Sequence, residues 1–309
     1  MKVLFISRSG SSLGLAERVK NEGHIASFAV VDRHAKSVGE GIVDKLQINM
    51  GSDINELLKG VSPDLVVFDA TGMGKTADYI RTTTPTLGAC RWADHATLDY
   101  EYSHKLMKQV GIQYTSYHEA EGVEVECEMW WDGLHSTTHN ITFVDKRFMN
   151  GNVGPYVGGA GSVVRMIPAE SKLVVEGVGK MERLLKKTNY RGPISLNMVV
   201  NDKGLFGVSL SVMFNYHSLQ ALFEIYKGSV TQFLHTISIG GKGDGQFTRD
   251  YAIAVKLSLP PYPYTKRDVR KGVPIEGVNN ENSKHLWWRD IRRMGGGYES
   301  AGTSGHILT

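Results

Sequence analysis

The stretch Asp145–Ser162, DKRFMNGNVGPYVGGAGS, sets five glycines, one proline and two adjacent cations within 18 residues. Glycine is costly to order and adds nothing to a core, so clustered glycines mark sharp turns or close approach of backbone to something else. A plain surface loop is the simplest reading of such a run. The sequence before it points further. Val123–Trp131 (VEVECEMWW) alternates like a half-buried strand, and Ile141–Val144 is a short apolar run that leads into Asp145, Lys146 and Arg147. A strand that ends in two cations and opens into a glycine loop directs donors at an anion.

The remaining composition bounds what such a loop can serve. A chain of 309 residues with 41% hydrophobic content can bury a substantial core, and its length predicts two or three structural units. A formal net charge of +3 is too slight to argue for nucleic acid, and short basic pairs such as Lys266-Arg267 and Arg292-Arg293 read as solvated surface. There is no apolar run of the length a membrane span needs, and MKVLFISRSG lacks the apolar core of a signal peptide, so a cytoplasmic protein is expected. Cys90 and Cys127 have neither paired spacing nor a histidine cluster nearby, which predicts core thiols rather than a disulfide or a zinc site.

Along the chain, Lys2–Ser7 reads as a buried strand, Ser9–Ser12 as a turn and Leu13–Lys20 as the start of a helix. The amides of that turn, at Gly10 and Ser11, stand where a helix N-terminus could hold a phosphate. Ala26–Val31 and Leu65–Phe68 predict further strands, with part of a helix at Asp53–Lys59; this alternation favours a parallel, doubly wound sheet. Residues 69–76, DATGMGKT, imitate a phosphate-binding loop but place Asp69 where a glycine is needed, and a carboxylate there repels phosphate. Asp99–Val110 predicts a helix ending at Gly111, and Glu170–Lys187 a charged amphipathic helix. Tyr190–Val199 and Leu205–Phe214 predict strands joined by a turn at Asn201–Gly204, and Trp287-Trp288 reads as a sheet or core feature or as an aromatic ligand platform.

The central stretch resembles the substrate loop of phosphoribosylamine–glycine ligases (glycinamide ribonucleotide synthetases), which are ATP-grasp enzymes. Lys146, Arg147, Gly151, Gly154, Pro155, Gly158, Gly159 and Gly161 match its D-H-K-R and G-P-N-T-G-G-M-G-A pattern. Tyr102–Tyr117 resembles the family's linker helix through Met107, Gly111, Ile112, Thr115 and Tyr117, with Tyr100 at about the place of the family's lysine. Departures accompany the likeness. His118, Glu119 and Ala120 run almost directly into the strand that follows the family's lid, so the lid is expected to be missing. The family's magnesium-holding glutamate and asparagine fall at Ser209 and Ser211, its arginine at Met213 and its aspartate at Tyr216; a neutral hydroxyl is a poor magnesium ligand.

The resemblance implies an α/β chain with a reduced ATP-grasp fold. Residues 1–90 form a Rossmann-like parallel α/β domain, 91–250 an ATP-grasp core without its lid, and 251–309 a small β-rich unit. The expected ligand contacts are Lys146, Arg147, Gly154, Pro155, Gly158, Gly159 and Gly161, with Gly10 and Ser11. Three functions follow as expectations. The first is a degenerate relative holding a phosphoribosyl, nucleotide or amino-acid ligand without ATP turnover; the second is a working ATP-dependent carboxylate–amine ligase; the third is a partner-docking protein with a vestigial pocket. The leading reading expects no cofactor, with Mg-ATP only for the ligase. It expects a small anionic metabolite as partner, neither nucleic acid nor membrane, and leaves a protein partner or homo-oligomer open.

Overall fold

The computed structural model describes residues 1–48, 54–116, 121–151, 153–243, 246–265 and 269–309. In chain order the elements are β1 (Lys2–Ser7), α1 (Leu13–Asn21), β2 (Ile25–Val30), β3 (Asp44–Leu46), α2 (Ile54–Val61), β4 (Leu65–Phe68), α3 (Gly74–Ile80), β5 (Thr86–Leu87), α4 (Arg91–Leu98) and α5 (Tyr100–Gln109). There follow β6 (Val123–Trp131), β7 (Ser136–Met149), β8 (Val153–Met166), α6 (Glu182–Leu185), β9 (Gly192–Asn201), β10 (Gly204–Ser211), α7 (Leu219–Glu224) and α8 (Val230–Ser238). The last are β11 (Tyr251–Val255), β12 (Leu257–Ser258), β13 (Pro274–Ile275), β14 (Ile291–Met294), β15 (Gly297–Ser300) and β16 (His306–Leu308). Two compact units divide them: Met1–Asp69, Asp145–Gly161 and Ala254–Thr309 form the first, and Ala70–Val144 with Ser162–Ile253 the second.

In the first unit, β3-β2-β1-β4 is a parallel sheet, with Phe5 in register with both Phe28 and Val67. All four residues of β4 and all but the first of β1 and β2 are buried, the near-continuous apolar pattern of a sheet covered on both faces. The unit also holds β13-β15-β14 and β12-β16, small antiparallel sheets built from the last stretch of the chain.

The strands of the six-stranded main sheet follow the order β10-β9-β6-β7-β8-β11; β6, β9, β10 and the inner parts of β7 and β8 belong to the second unit, whereas residues 145–161 belong to the first. One face of β6, β9 and β10 carries Cys127, Met129, Ile194, Leu196, Met198 and Leu210, which join Ala93, Ala96, Leu106 and Met107 of α4 and α5 in the core. The two helices also serve the edge strand: Leu210 N donates to Ser103 Oγ at 3.0 Å and Val212 N to Thr97 Oγ1 at 2.9 Å, so side chains satisfy donors that an open edge would expose. Asp99 caps α5 by accepting from Tyr102 N, and Gly111 beyond its end has φ of +75°.

Two expectations are corrected. Residues 170–187 do not form one α-helix: the chain winds as a π turn over Leu173–Gly177, a 3₁₀ turn over Val178–Met181 and one α turn in α6. Val174, Val178, Met181 and Leu185 are buried at the predicted helical spacing, but Gly177 leaves helical geometry and a Cβ on Gly179 would stand 2.8 Å from the Val174 carbonyl. The glycine-rich stretch is not a loop either. It is the outer part of a hairpin between two 14-residue strands, β7 and β8. The expected lid junction, His118–Ala120, lies outside the described residues.

Candidate functional site

The first candidate region is the hairpin arm in the first unit. On β7, Arg147 Nη1 donates to the Gly154 carbonyl at 2.7 Å, and its guanidinium stands 4.9 Å from the Tyr156 ring centre. Arg147 thus clamps the two strands, and Lys146 beside it is half-buried. Pro155, Tyr156 and Gly158 are exposed, whereas Gly159 is buried. Gly158 has φ of +73° with nothing near its missing Cβ, so conformation rather than crowding requires glycine there; at Gly161 a Cβ would stand 3.3 Å from the Ala254 carbonyl. Because β8 lies between β7 and β11, much of its backbone is drawn into ladders instead of forming a row of open donors.

Beside the arm lies a cation that sequence reasoning missed. Lys256 N donates to the Ala160 carbonyl at 2.9 Å, and its Nζ reaches both the Val157 carbonyl and the Tyr262 hydroxyl at 3.3 Å. Burial, and secondarily the charge of Arg289, hold its ammonium down to about 8. Arg289 Nε is buried without a hydrogen-bond partner among the described residues. Tyr262 is pushed up by burial and packs 5.1 Å from Phe148 on β7. The only hint in the sequence is the density of cations and tyrosines in 251–309.

Gly10 and Ser11 stand elsewhere in this unit, in the turn before α1. Gly10 N donates to Ser7 Oγ at 2.7 Å, and a Cβ there would stand 2.5 Å from Val38 Cγ1. The neighbouring amides are already engaged: Arg8 N and Ser12 N donate to the Asp69 carboxylate at 3.1 and 3.0 Å, and Ser12 Oγ at 2.7 Å. The turn therefore holds a carboxyl of its own chain. Burial raises the Asp69 carboxyl, and the Ser7 and Ser12 hydroxyls and these amides work against that rise.

The second candidate region is the other face of the main sheet in the second unit. Register places Asn140, Glu128, Ser195 and Ser211 in one row across β7, β6, β9 and β10, and Thr142, Glu126, Asn197 and Ser209 in the next. The expected metal positions, Ser209 and Ser211, thus share rows with two carboxylates. Glu126 Oε2 accepts from Asn215 Nδ2 at 2.6 Å and lies 2.8 Å from His217 Nε2, and Ser162 Oγ donates to the His217 carbonyl. Burial first, then the charge of Glu126, push the Glu128 carboxyl up to about 8. Beyond the rows, Trp130 packs edge-on to Phe214, Phe223 and Phe233 at 4.9–6.0 Å. Among the described residues no group of three or more His, Cys, Asp or Glu is placed to share a metal ion, and no helix is long and apolar enough to cross a membrane. Cys90 and Cys127 are both buried free thiols.

No protein-family model matches the chain, and no curated protein matches its sequence. Solved structures do match. A phosphoribosylamine–glycine ligase from Thermotoga maritima superposes with a TM-score of 0.72 at 15% identity, over 100% of this chain and 91% of that one. A phosphoribosylglycinamide synthetase from Anaerococcus prevotii gives 0.62 at 12%, over 98% and 94%. The biotin carboxylase domain of a single-chain bacterial carboxylase gives 0.60 at 10%, over 100% and 83%. At these identities the likeness is one of fold, and the fold is that of the ATP-grasp ligases and carboxylases.

Proposed function

We propose that this chain is a ligand-binding relative of the phosphoribosylamine–glycine ligases that holds a small anionic metabolite of the phosphoribosyl, nucleotide or amino-acid type without the family's ATP turnover. The observation that carries this reading is the donor set on the polar face of the main sheet. Magnesium takes hard, anionic oxygens. Ser209 and Ser211 offer neutral hydroxyls, and Ser211 Oγ already accepts from Asn197 Nδ2 at 3.4 Å. Glu126 is engaged by Asn215 and His217, and a carboxyl held at about 8 is mostly protonated at neutral pH, so neither acid replaces the missing charge. These donors do not fit a magnesium–triphosphate group.

The anion is proposed to lie against the arm between Gly154 and Gly161, with Lys146 or Arg147 directed at it and with Lys256 and Arg289 as additional cations. Charge-assisted hydrogen bonds from such groups are the strong ones. Titration with glycine, ribose 5-phosphate and AMP tests the reading, each against wild type and Lys256→Met. Saturable binding of at least one, weakened in the variant, supports it. Binding of none would leave the arm without a ligand and favour partner docking.

A further inference from the structure

A cavity of about 370 Å³ opens within the first unit, apart from the hairpin arm, and nothing derived above uses it. Glu17 and Lys20 line it from α1, Lys284 from the short turn at Ser283–His285, and Trp288, Arg293 and Tyr298 from the last stretch of the chain. Its wall is fixed by backbone. Gly39 N donates to the Ile291 carbonyl at 2.9 Å and Arg293 N to the Glu40 carbonyl at 2.8 Å, so residues 39–41 are zipped along β14. Gly41 sits so close that a Cβ would stand 2.5 Å from the Arg293 carbonyl. Tyr298 stacks on Trp288 at 4.7 Å, with the Arg293 guanidinium 5.6 Å from its ring centre. The aromatic faces are thereby used up, and the cations remain. Lys20 Nζ donates to the Ile42 carbonyl, while no ion pair engages Lys284 or Arg293 among the described residues.

We infer that this cavity is a binding site for a small, multiply charged oxyanion of the phosphate class, independent of the arm. Three cations converge on it, and one is an arginine held in place by stacking, whose planar fork suits paired oxygens. The single acid in the wall strengthens the assignment. The groups facing Glu17 are Lys20 and Arg18 of its own helix, Arg293, the Trp288 indole, Lys284 and Tyr298. Burial outweighs these cations and raises the Glu17 carboxyl to about 7. When protonated, Glu17 adds a donor instead of a repelling charge. An arriving anion favours that form, so the site binds more tightly below neutral pH than above it.

Calorimetric titration of the full chain with pyrophosphate, at pH 6 and pH 8 in low salt, tests the assignment. Wild type is compared with Glu17→Gln at each pH, so that pyrophosphate's own protonation cancels in the ratio. Saturable binding at pH 6 is expected, with wild type weakening several-fold relative to Glu17→Gln by pH 8. Lys284 is exposed, so Lys284→Met keeps the fold and is expected to weaken binding at least fivefold. No binding at pH 6, equal binding by Lys284→Met and wild type, or a wild-type to Glu17→Gln ratio constant with pH would each overturn the assignment.

Discussion

Replacing Glu128 by Gln isolates the most heavily buried acid of the polar sheet face. Glu128 is 3% exposed, its Oε1 has no hydrogen-bond partner among the described residues, and its carboxyl is pushed from 4.5 to about 8. Between those two values the folded chain holds a proton that the unfolded chain has released. Stability therefore falls as pH rises through the window, by about 1.4 kcal/mol per pH unit. From pH 6 to pH 8 the loss from this one group comes to about 2 kcal/mol, since the slope flattens near the folded value. Glutamine mimics the neutral acid and does not titrate. Other groups tilt the wild-type curve: Glu17, raised to about 7, acts in the same direction, whereas Lys45 and Lys256, lowered to about 8, add stability as pH rises above that. Subtracting variant from wild type removes them. Urea unfolding followed by tryptophan fluorescence is the assay, with Trp130 two residues away as a local reporter. The gap between Glu128→Gln and wild type should widen in favour of the variant from pH 6 to pH 8. A constant gap would refute both the protonation and the burial argument behind it.

Gly60→Ala, on an exposed turn of α2 with open space at its missing Cβ, should raise stability by about 0.5–1 kcal/mol by relieving glycine's entropic cost, measured by denaturant midpoint. Gly302→Ala should do the reverse, by about 1–3 kcal/mol in the same assay, because its Cβ would fall 2.0 Å from Asp290 Cγ in a buried site. Arg147→Ala removes the bond to the Gly154 carbonyl and the contact with Tyr156; any anion that binds the arm should weaken by about 1.5–3 kcal/mol on calorimetric titration. That affinity should also decline above about pH 8, as Lys256 loses its proton, and the decline should vanish in Lys256→Met.

Much of the first unit was legible because its signals are local. Lys2–Ser7 and Leu65–Phe68 are continuous apolar runs bounded by turn residues, and both strands have the predicted limits. Val123–Trp131 also has its predicted limits, but its alternation concealed the chemistry. Glu126 and Glu128 read as the wet side of a half-buried strand. Both are buried, and Asn215 and His217, about 90 residues on, close over Glu126, a contact that no window of sequence contains. The glycine cluster misled in the other direction. Glycines suggested a loop, yet pairing with β7 across the hairpin and with the distant β11 draws Gly154, Gly158, Gly159 and Gly161 into a strand. Lys256 escaped notice because its significance lies in burial and in Arg289, 33 residues later, rather than in any motif. Around Gly10 and Ser11 the turn is where the sequence places it, and the Asp69 carboxyl from the end of β4, which no local window contains, takes up the neighbouring Arg8 and Ser12 amides.

We propose that this chain, whose fold is that of the ATP-grasp ligases, does not hold Mg-ATP. Isothermal titration of the full chain with ATP and excess magnesium at neutral pH tests it directly. The account predicts no saturable heat at micromolar ATP, and no difference between wild type and the double variant Ser209→Ala, Ser211→Ala. Saturable micromolar binding that depends on magnesium, or phosphate release on adding a carboxylate and an amine, would contradict it.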